Sequence, residues 1–235
     1  MNVPYPGGHR TPVREAPAES LWISLRYFNL YRIVVAALFL GVVLVYDDVV
    51  HLGSQSMGLF RACAGTYLVL GIVFDAILRT NLMATVATFA PFIGAMKSQA
   101  AAGDAEPKLV GIASVAGIRG LPGAEAYSAS KAALNILTAN ARMDLRRSSP
   151  GIYVTLVLPG LVSTEFAAHA LWSTGATPPG PIGSPMTSQT PGQVATAIAD
   201  VLGTPVAELY TNPASAALVS RYYEDVGAFE DAQLR

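Results

Sequence analysis

The chain has 235 residues, of which 52% are hydrophobic and 13% charged, and its formal net charge is −1. So low a charged share leans towards a chain with a membrane-buried segment, and the near-neutral balance excludes a broad basic field for nucleic acid. The single cysteine, Cys63, excludes an internal disulfide framework, and His9, His51 and His169 are too scattered to ligate a metal.

Residues 1–20 carry Pro, Gly and charge and read as a flexible tail. Two apolar runs follow, "IVVAALFLGVVLVY" at 33–46 and "ACAGTYLVLGIVF" at 62–74. As helices they cover roughly 20 Å each at 1.5 Å per residue, whereas a bilayer core of about 30 Å wants nearer 20 residues. The first lengthens backwards through Tyr27, Phe28, Leu30 and Tyr31, with Arg32 snorkelling to the interface. The second lengthens only by taking in Asp75, and for both runs a pair of buried core helices is the competing reading. Residues 21–74 are therefore expected to form a hydrophobic helical hairpin in contact with membrane lipid. Arg10, Arg14, Arg26 and Arg32 precede the first run, and Asp47 and Asp48 follow it. The positive-inside rule then puts the N-terminus in the cytoplasm, and a second crossing returns the rest of the chain there. The first apolar run starts too late for a cleaved signal peptide. Cys63, inside the second run, reads as a small buried hydrophobe.

From residue 75 the pattern is that of a soluble α/β protein. Helical spacing covers 74–99, a strand is expected at 108–114, a helix at 125–147 and a second strand at 152–158. Residues 173–190 form a loop of Gly, Pro, Ser and Thr. Thr190 and Pro191 supply a cap and first position for a helix to 202, then a strand at 206–211 and a helix at 213–227 close the chain. Strands alternating with helical crossovers predict a partial Rossmann-like parallel sheet with helices on its faces over 75–235.

Tyr127 and Lys131 stand at i and i+4, on one helical face. An ammonium beside a phenol favours the phenolate, so the spacing predicts a lowered tyrosine pKa and a side chain able to exchange protons. Ser114 ends the preceding strand, and "VAGIRGLPGAEA" offers enough turn residues to bring that strand end over the helix start. A bare Y-x-x-x-K is otherwise an ordinary exposed helix pair.

Ser114, then "YSASK", then "LVLPGLVST", with "RTNL" upstream and "ELYTNP" near the end, resembles the short-chain dehydrogenase/reductase family over residues 75–231. The resemblance implies that Tyr127 is the catalytic acid/base and that Lys131 tunes it and holds the nicotinamide ribose. It implies that Ser114 orients the substrate oxygen, and that the backbone of Asn81 holds a water in a proton relay. Pro159, Gly160, Val162 and Thr164 would lie along the nicotinamide, and residues 165–190 would form a substrate lid. His169, Trp172 and Met186 would line the pocket or simply fill the lid. The cofactor implied is NAD or NADP, the substrate a carbonyl or alcohol, and the assembly a homo-oligomer paired through the helices of Asn81 and Tyr127.

The family's Gly-rich turn, T-G-x-x-x-G-x-G, has no counterpart: "YPGGHR" follows no strand, and "LGSQSMG" lies between apolar helices. The N-N-A-G expected before Asn81 is absent as well. Without that half, strand "LVGIA" is expected to expose an unpaired edge. Residues 20–73 resemble the membrane input region of pilus-type sensor histidine kinases, but no phospho-acceptor region or ATP lid follows. Three readings result: a membrane-anchored oxidoreductase, a non-enzymatic membrane-tethered fusion or truncated fragment, and a membrane sensory input module.

Overall fold

Valine, leucine and isoleucine dominate "KLVGI" and "YVTLVL", and both runs form strands because β-branched and apolar side chains suit a sheet covered on its faces. The structure is a computed structural model that describes residues 18–45, 56–103, 105–166 and 188–233. The tail to residue 17, Asp47, Asp48, His51 and the lid residues His169, Trp172 and Met186 lie outside the described residues. The chain divides into two compact units, Met1–Asp75 and Ala76–Arg235.

In the first unit, α1 spans Ala18–Val45, and α2 starts at Met57 and runs to Leu78, just past the boundary. Their side chains meet where Arg32 Nε and Nη2 each donate to the Tyr67 hydroxyl at 3.2 Å, and where Phe39 and Phe60 lie 5.9 Å apart. Arg32 is thus held by Tyr67, a partner the sequence did not suggest. Cys63 is exposed, not buried as its apolar neighbours suggested. Among the described residues one helix, Gly58–Ala102, is long and apolar enough by length and composition to cross a membrane, and Leu30–Val45 is a shorter apolar helix.

In the second unit the helix expected over 74–99 is interrupted by a π-helical turn, Arg79–Met83, and resumes as α3, Ala84–Ala102. The turn is marked by the Ala84 N–H bonding the Arg79 carbonyl five residues back. Gly103 ends α3 in the left-handed conformation at φ 74°, which favours glycine. Strand β1 (Lys108–Ile112), α4 (Glu125–Ser148), β2 (Tyr153–Leu158), α5 (Pro191–Gly203), β3 (Glu208–Tyr210), α6 (Pro213–Glu224) and α7 (Val226–Gln233) follow. α5 opens on a capping box, with Thr190 Oγ1 accepting from the Gln193 N–H and Gln193 Oε1 from the Thr190 N–H. The single helix expected over 213–227 breaks at Asp225, which is extended and caps α7 by accepting from the Ala228 N–H at 2.9 Å.

The three strands form a parallel sheet in the order β1-β2-β3, with Lys108 opposite Tyr153 and Leu158 opposite Tyr210. α4 and α5 are the crossovers, as a parallel sheet requires. One core cluster joins Ala113, Leu134, Leu156, Leu158 and Val219. A second joins Leu109, Leu145, Ile152 and Val154 to Phe89, Ile93, Met96 and Ala100 of α3. Each fully buried aliphatic side chain contributes roughly 1.5–3 kcal/mol. The outcome is an α/β, Rossmann-like parallel sheet with helices, as expected for this part of the chain. Among the described residues β1 has no second strand partner.

Candidate active site

Ser114 lies two residues beyond β1, in extended conformation, at a strand end pinned to β2. The Ala113 N–H donates to the Val157 carbonyl at 2.9 Å and the Val115 N–H to the Pro159 carbonyl at 3.1 Å. Its hydroxyl caps a 3₁₀ turn, Val115–Gly117, by accepting from the Ala116 N–H at 3.2 Å. That turn sits hard against α4. A Cβ on Gly117 would stand 2.6 Å from the Lys131 carbonyl carbon, so only glycine lets the two backbones approach this closely.

The same approach brings Ser114 to Tyr127, and their side chains share a hydrogen bond. Tyr127 stacks at a tilt on Phe166, ring centroids 5.6 Å apart. Lys131 Nζ lies over the Tyr127 ring at 5.7 Å from its centroid and donates to the Ile112 carbonyl at 3.2 Å. Ser114, Tyr127 and Lys131 are therefore brought together as the spacing predicts.

The electrostatic expectation is corrected. Burial pushes the Tyr127 phenol above its ordinary value, and the Ser114 hydrogen bond opposes that only in part. Burial also holds the Lys131 ammonium below its ordinary value. The reason is geometric: the ammonium faces the ring and bonds a carbonyl, while the phenol is desolvated. Around neutral pH, Tyr127 is therefore a protonated phenol, a donor rather than a base.

Asn81 falls inside the π turn. Its carbonyl accepts from Thr85 Oγ1 at 2.9 Å, and its side-chain Nδ2 donates to Ser130 Oγ at 2.9 Å. Ser130 Oγ in turn donates to the Tyr127 carbonyl at 2.7 Å. A polar line thus runs from the π turn to the backbone of the tyrosine. π turns inside helices frequently mark functional sites.

Pro159 and Gly160, half-buried, continue from β2. Val162 pairs with Gln189 in an isolated parallel bridge, in which the Gln189 N–H donates to Leu161 O and the Ser163 N–H to Gln189 O. The bridge leaves the N–H and carbonyl of Val162 itself directed away from Gln189. Gln189 is fixed from behind, its Oε1 accepting from Thr211 Oγ1 at 2.7 Å. Thr164 is exposed and its Oγ1 accepts from the Phe166 N–H.

Sequence reasoning missed Ser130, Phe166 and Gly117. Ser130 had a signal: it is a small polar residue three places after Tyr127 on the inward face of α4, where it is fully buried. Gly117 was visible only as one of several turn glycines. Phe166 carried no signal at all.

The short chain dehydrogenase family model matches residues 69–172. An uncharacterized oxidoreductase of Myxococcus xanthus is 50% identical over 60 residues, which is 26% of this chain and 23% of that protein. A dehydrogenase/reductase SDR family protein 7-like of Anopheles gambiae is 38% identical over 71 residues, 30% of this chain and 22% of that one. The chain thus spans about a quarter of the length of these curated relatives. A short chain dehydrogenase from Burkholderia cenocepacia, solved in complex with NADP, superposes with a TM-score of 0.53 at 22% identity, covering 69% of this chain and 59% of that one. A short-chain dehydrogenase from Streptomyces avermitilis gives a TM-score of 0.52 at 20% identity, covering 66% and 58%. The similarity of residues 20–73 to sensor kinases finds no support in these comparisons. The matched segment, the curated relatives and the shared Rossmann-like fold together support the short-chain dehydrogenase family for this part of the chain.

Proposed function

We propose that the unit Ala76–Arg235 carries an oxidoreductase site for a carbonyl or alcohol substrate, used with NAD or NADP. The observation that carries this reading is the Ser114–Tyr127 hydrogen bond with the Lys131 ammonium over the tyrosine ring. A bound nicotinamide would supply or accept the hydride. Tyr127, held as a phenol by burial, donates its proton to the substrate oxygen in the reducing direction. Ser114 donates a hydrogen bond to the same oxygen and fixes its position. The Ser114 hydroxyl stabilises the phenolate left behind, and Lys131 stands over the tyrosine ring with its ammonium held by the Ile112 carbonyl.

The fit to the cofactor is partial. Val162 offers backbone groups for a carboxamide, and Lys131 offers donors for ribose hydroxyls. No Gly-rich turn for the pyrophosphate occurs in this sequence. The reading therefore needs other groups of the assembled protein to take over the part of that turn. The test is a fluorescence titration of the full-length, detergent-solubilised protein with NADH and NADPH. Saturable binding competed by the oxidised cofactor is expected, with Tyr127→Phe binding normally but turning over no substrate. No binding up to millimolar cofactor by a folded protein would sink it for the isolated chain.

A second reading, a non-enzymatic membrane-tethered fragment, is favoured by two observations: the missing turn and the long apolar helix Gly58–Ala102. From Leu82 onward that helix spends apolar side chains on the soluble core, so only its first half is offered to lipid. In both readings the N-terminal unit anchors the chain in a membrane with the Tyr127 unit in the cytoplasm. Membrane fractionation with and without residues 1–75 tests the anchor.

A further inference from the structure

Arg119 stands five residues after Ser114, on the loop that leads into α4. It is 9% exposed, and its Nε is sealed from solvent without an acceptor. Its guanidinium carbon lies 5.9 Å from the ring centroid of Phe229 on α7, itself buried. Among the described residues no carboxylate or carbonyl meets the guanidinium. Glu230 and Asp231, next to Phe229 on α7, are exposed. Desolvation alone is what lowers its pKa, with no charged neighbour acting on it.

A buried guanidinium is costly unless something anionic pairs with it. Arginine stays charged, has five donors in a rigid fork and has no acceptor of its own. An aromatic face satisfies one side of the plane by cation–π attraction but leaves the N–H edge unused. We infer that Arg119, backed by Phe229, is the recognition group of a carboxylate site whose carboxylate comes from none of the described residues. A planar, singly charged group fits one fork bidentately, whereas a phosphate dianion calls for more than one cation. The inference rests on the Arg119–Phe229 pair and not on the oxidoreductase reading.

The source of the carboxylate is either a small molecule or an acidic side chain of a second copy, and one set of measurements separates them. Thermal unfolding of the full-length, detergent-solubilised protein is followed by circular dichroism in rising sodium acetate, with sodium chloride at matched ionic strength as control. Wild-type protein is expected to gain several degrees, saturably, in acetate and not in chloride. Arg119→Met should start at an equal or higher midpoint, because the unpaired charge is gone, and should not respond. Arg119→Lys keeps the charge, loses the fork and should respond several-fold more weakly, and it carries the comparison if Arg119→Met fails to fold. Sedimentation velocity adds the second arm. Self-association that acetate disperses and Arg119→Met abolishes assigns the carboxylate to a second copy. Equal responses to acetate and chloride, together with no Arg119-dependent self-association, overturn the inference.

Discussion

Asn81 and Ser130 are joined by a hydrogen bond of 2.9 Å although 49 positions separate them in the sequence. Ser130 passes the connection on to the Tyr127 carbonyl. The bond ties the π turn to α4 directly behind the candidate acid. Ser130→Ala would leave Asn81 Nδ2 without its acceptor in a part-buried place, at a cost of about 1–3 kcal/mol. The midpoint of thermal unfolding should fall by several degrees. An unchanged midpoint would show that water replaces the serine and that the line is not structural.

Gly117 and Lys131 are in the tightest contact at the site. A Cβ on Gly117 would lie 2.6 Å from Lys131 C, 2.7 Å from Ala132 N and 2.9 Å from Lys131 O. These are backbone atoms, which cannot rotate away. Gly117→Ala should therefore push the 3₁₀ turn off α4, cost about 1–3 kcal/mol and part Ser114 from Tyr127. Gly120→Ala is the control, since nothing lies within 4 Å of its added carbon. Denaturant unfolding of both variants decides the point: equal midpoints would refute the close-contact argument.

Much of this unit was legible in the sequence because its signals are local. Thr190 and Pro191 announce a capped helix, alternating strand and helix patterns announce a parallel sheet, and the i, i+4 spacing puts Tyr127 and Lys131 on one face. What was not legible depends on long-range geometry. The π turn at Arg79–Met83 has no composition of its own, and Asp225 splits a continuous helical pattern only because its side chain caps α7. The pKa of Tyr127 was misjudged because spacing tells which groups are near but not how much water they keep. The direction Lys131 takes, onto the Ile112 carbonyl, depends on where β1 ends.

The Tyr127 correction is open to direct titration. Its ordinary value is 10.0 and burial raises it. A raised folded value means that the stability tied to the neutral phenol is fully present below pH 10 and is lost as pH rises through the folded value. Lys131 runs the other way: its folded value is depressed below 10.5, so its contribution is present above that and is lost as pH falls through the folded value. The ultraviolet phenolate signal of wild-type protein minus that of Tyr127→Phe should appear only above pH 10. A phenolate step near neutral pH would restore the lysine-driven lowering and refute dominance by burial.

The last prediction concerns the open edge of the sheet. The Ala113 N–H and the Pro107 carbonyl bond β2, so the odd-numbered positions of β1 face their partner strand. Backbone groups of Lys108, Val110 and Ile112 then face outwards, and the one such group with a described partner is the Ile112 carbonyl, held by Lys131. An edge of this kind templates pairing with another chain. Proline is tolerated where a strand N–H has no ladder bond to lose. Val110→Pro should leave thermal stability within about 1 kcal/mol of wild type and sharply reduce concentration-dependent association, as read by light scattering. Leu109→Pro, one residue away, removes a bond to β2 and should destabilise the sheet outright. If both prolines destabilise equally, β1 is not an open edge. If Val110→Pro folds normally and association is unchanged, the chains meet elsewhere, and the apolar helices of the first unit become the surface to test.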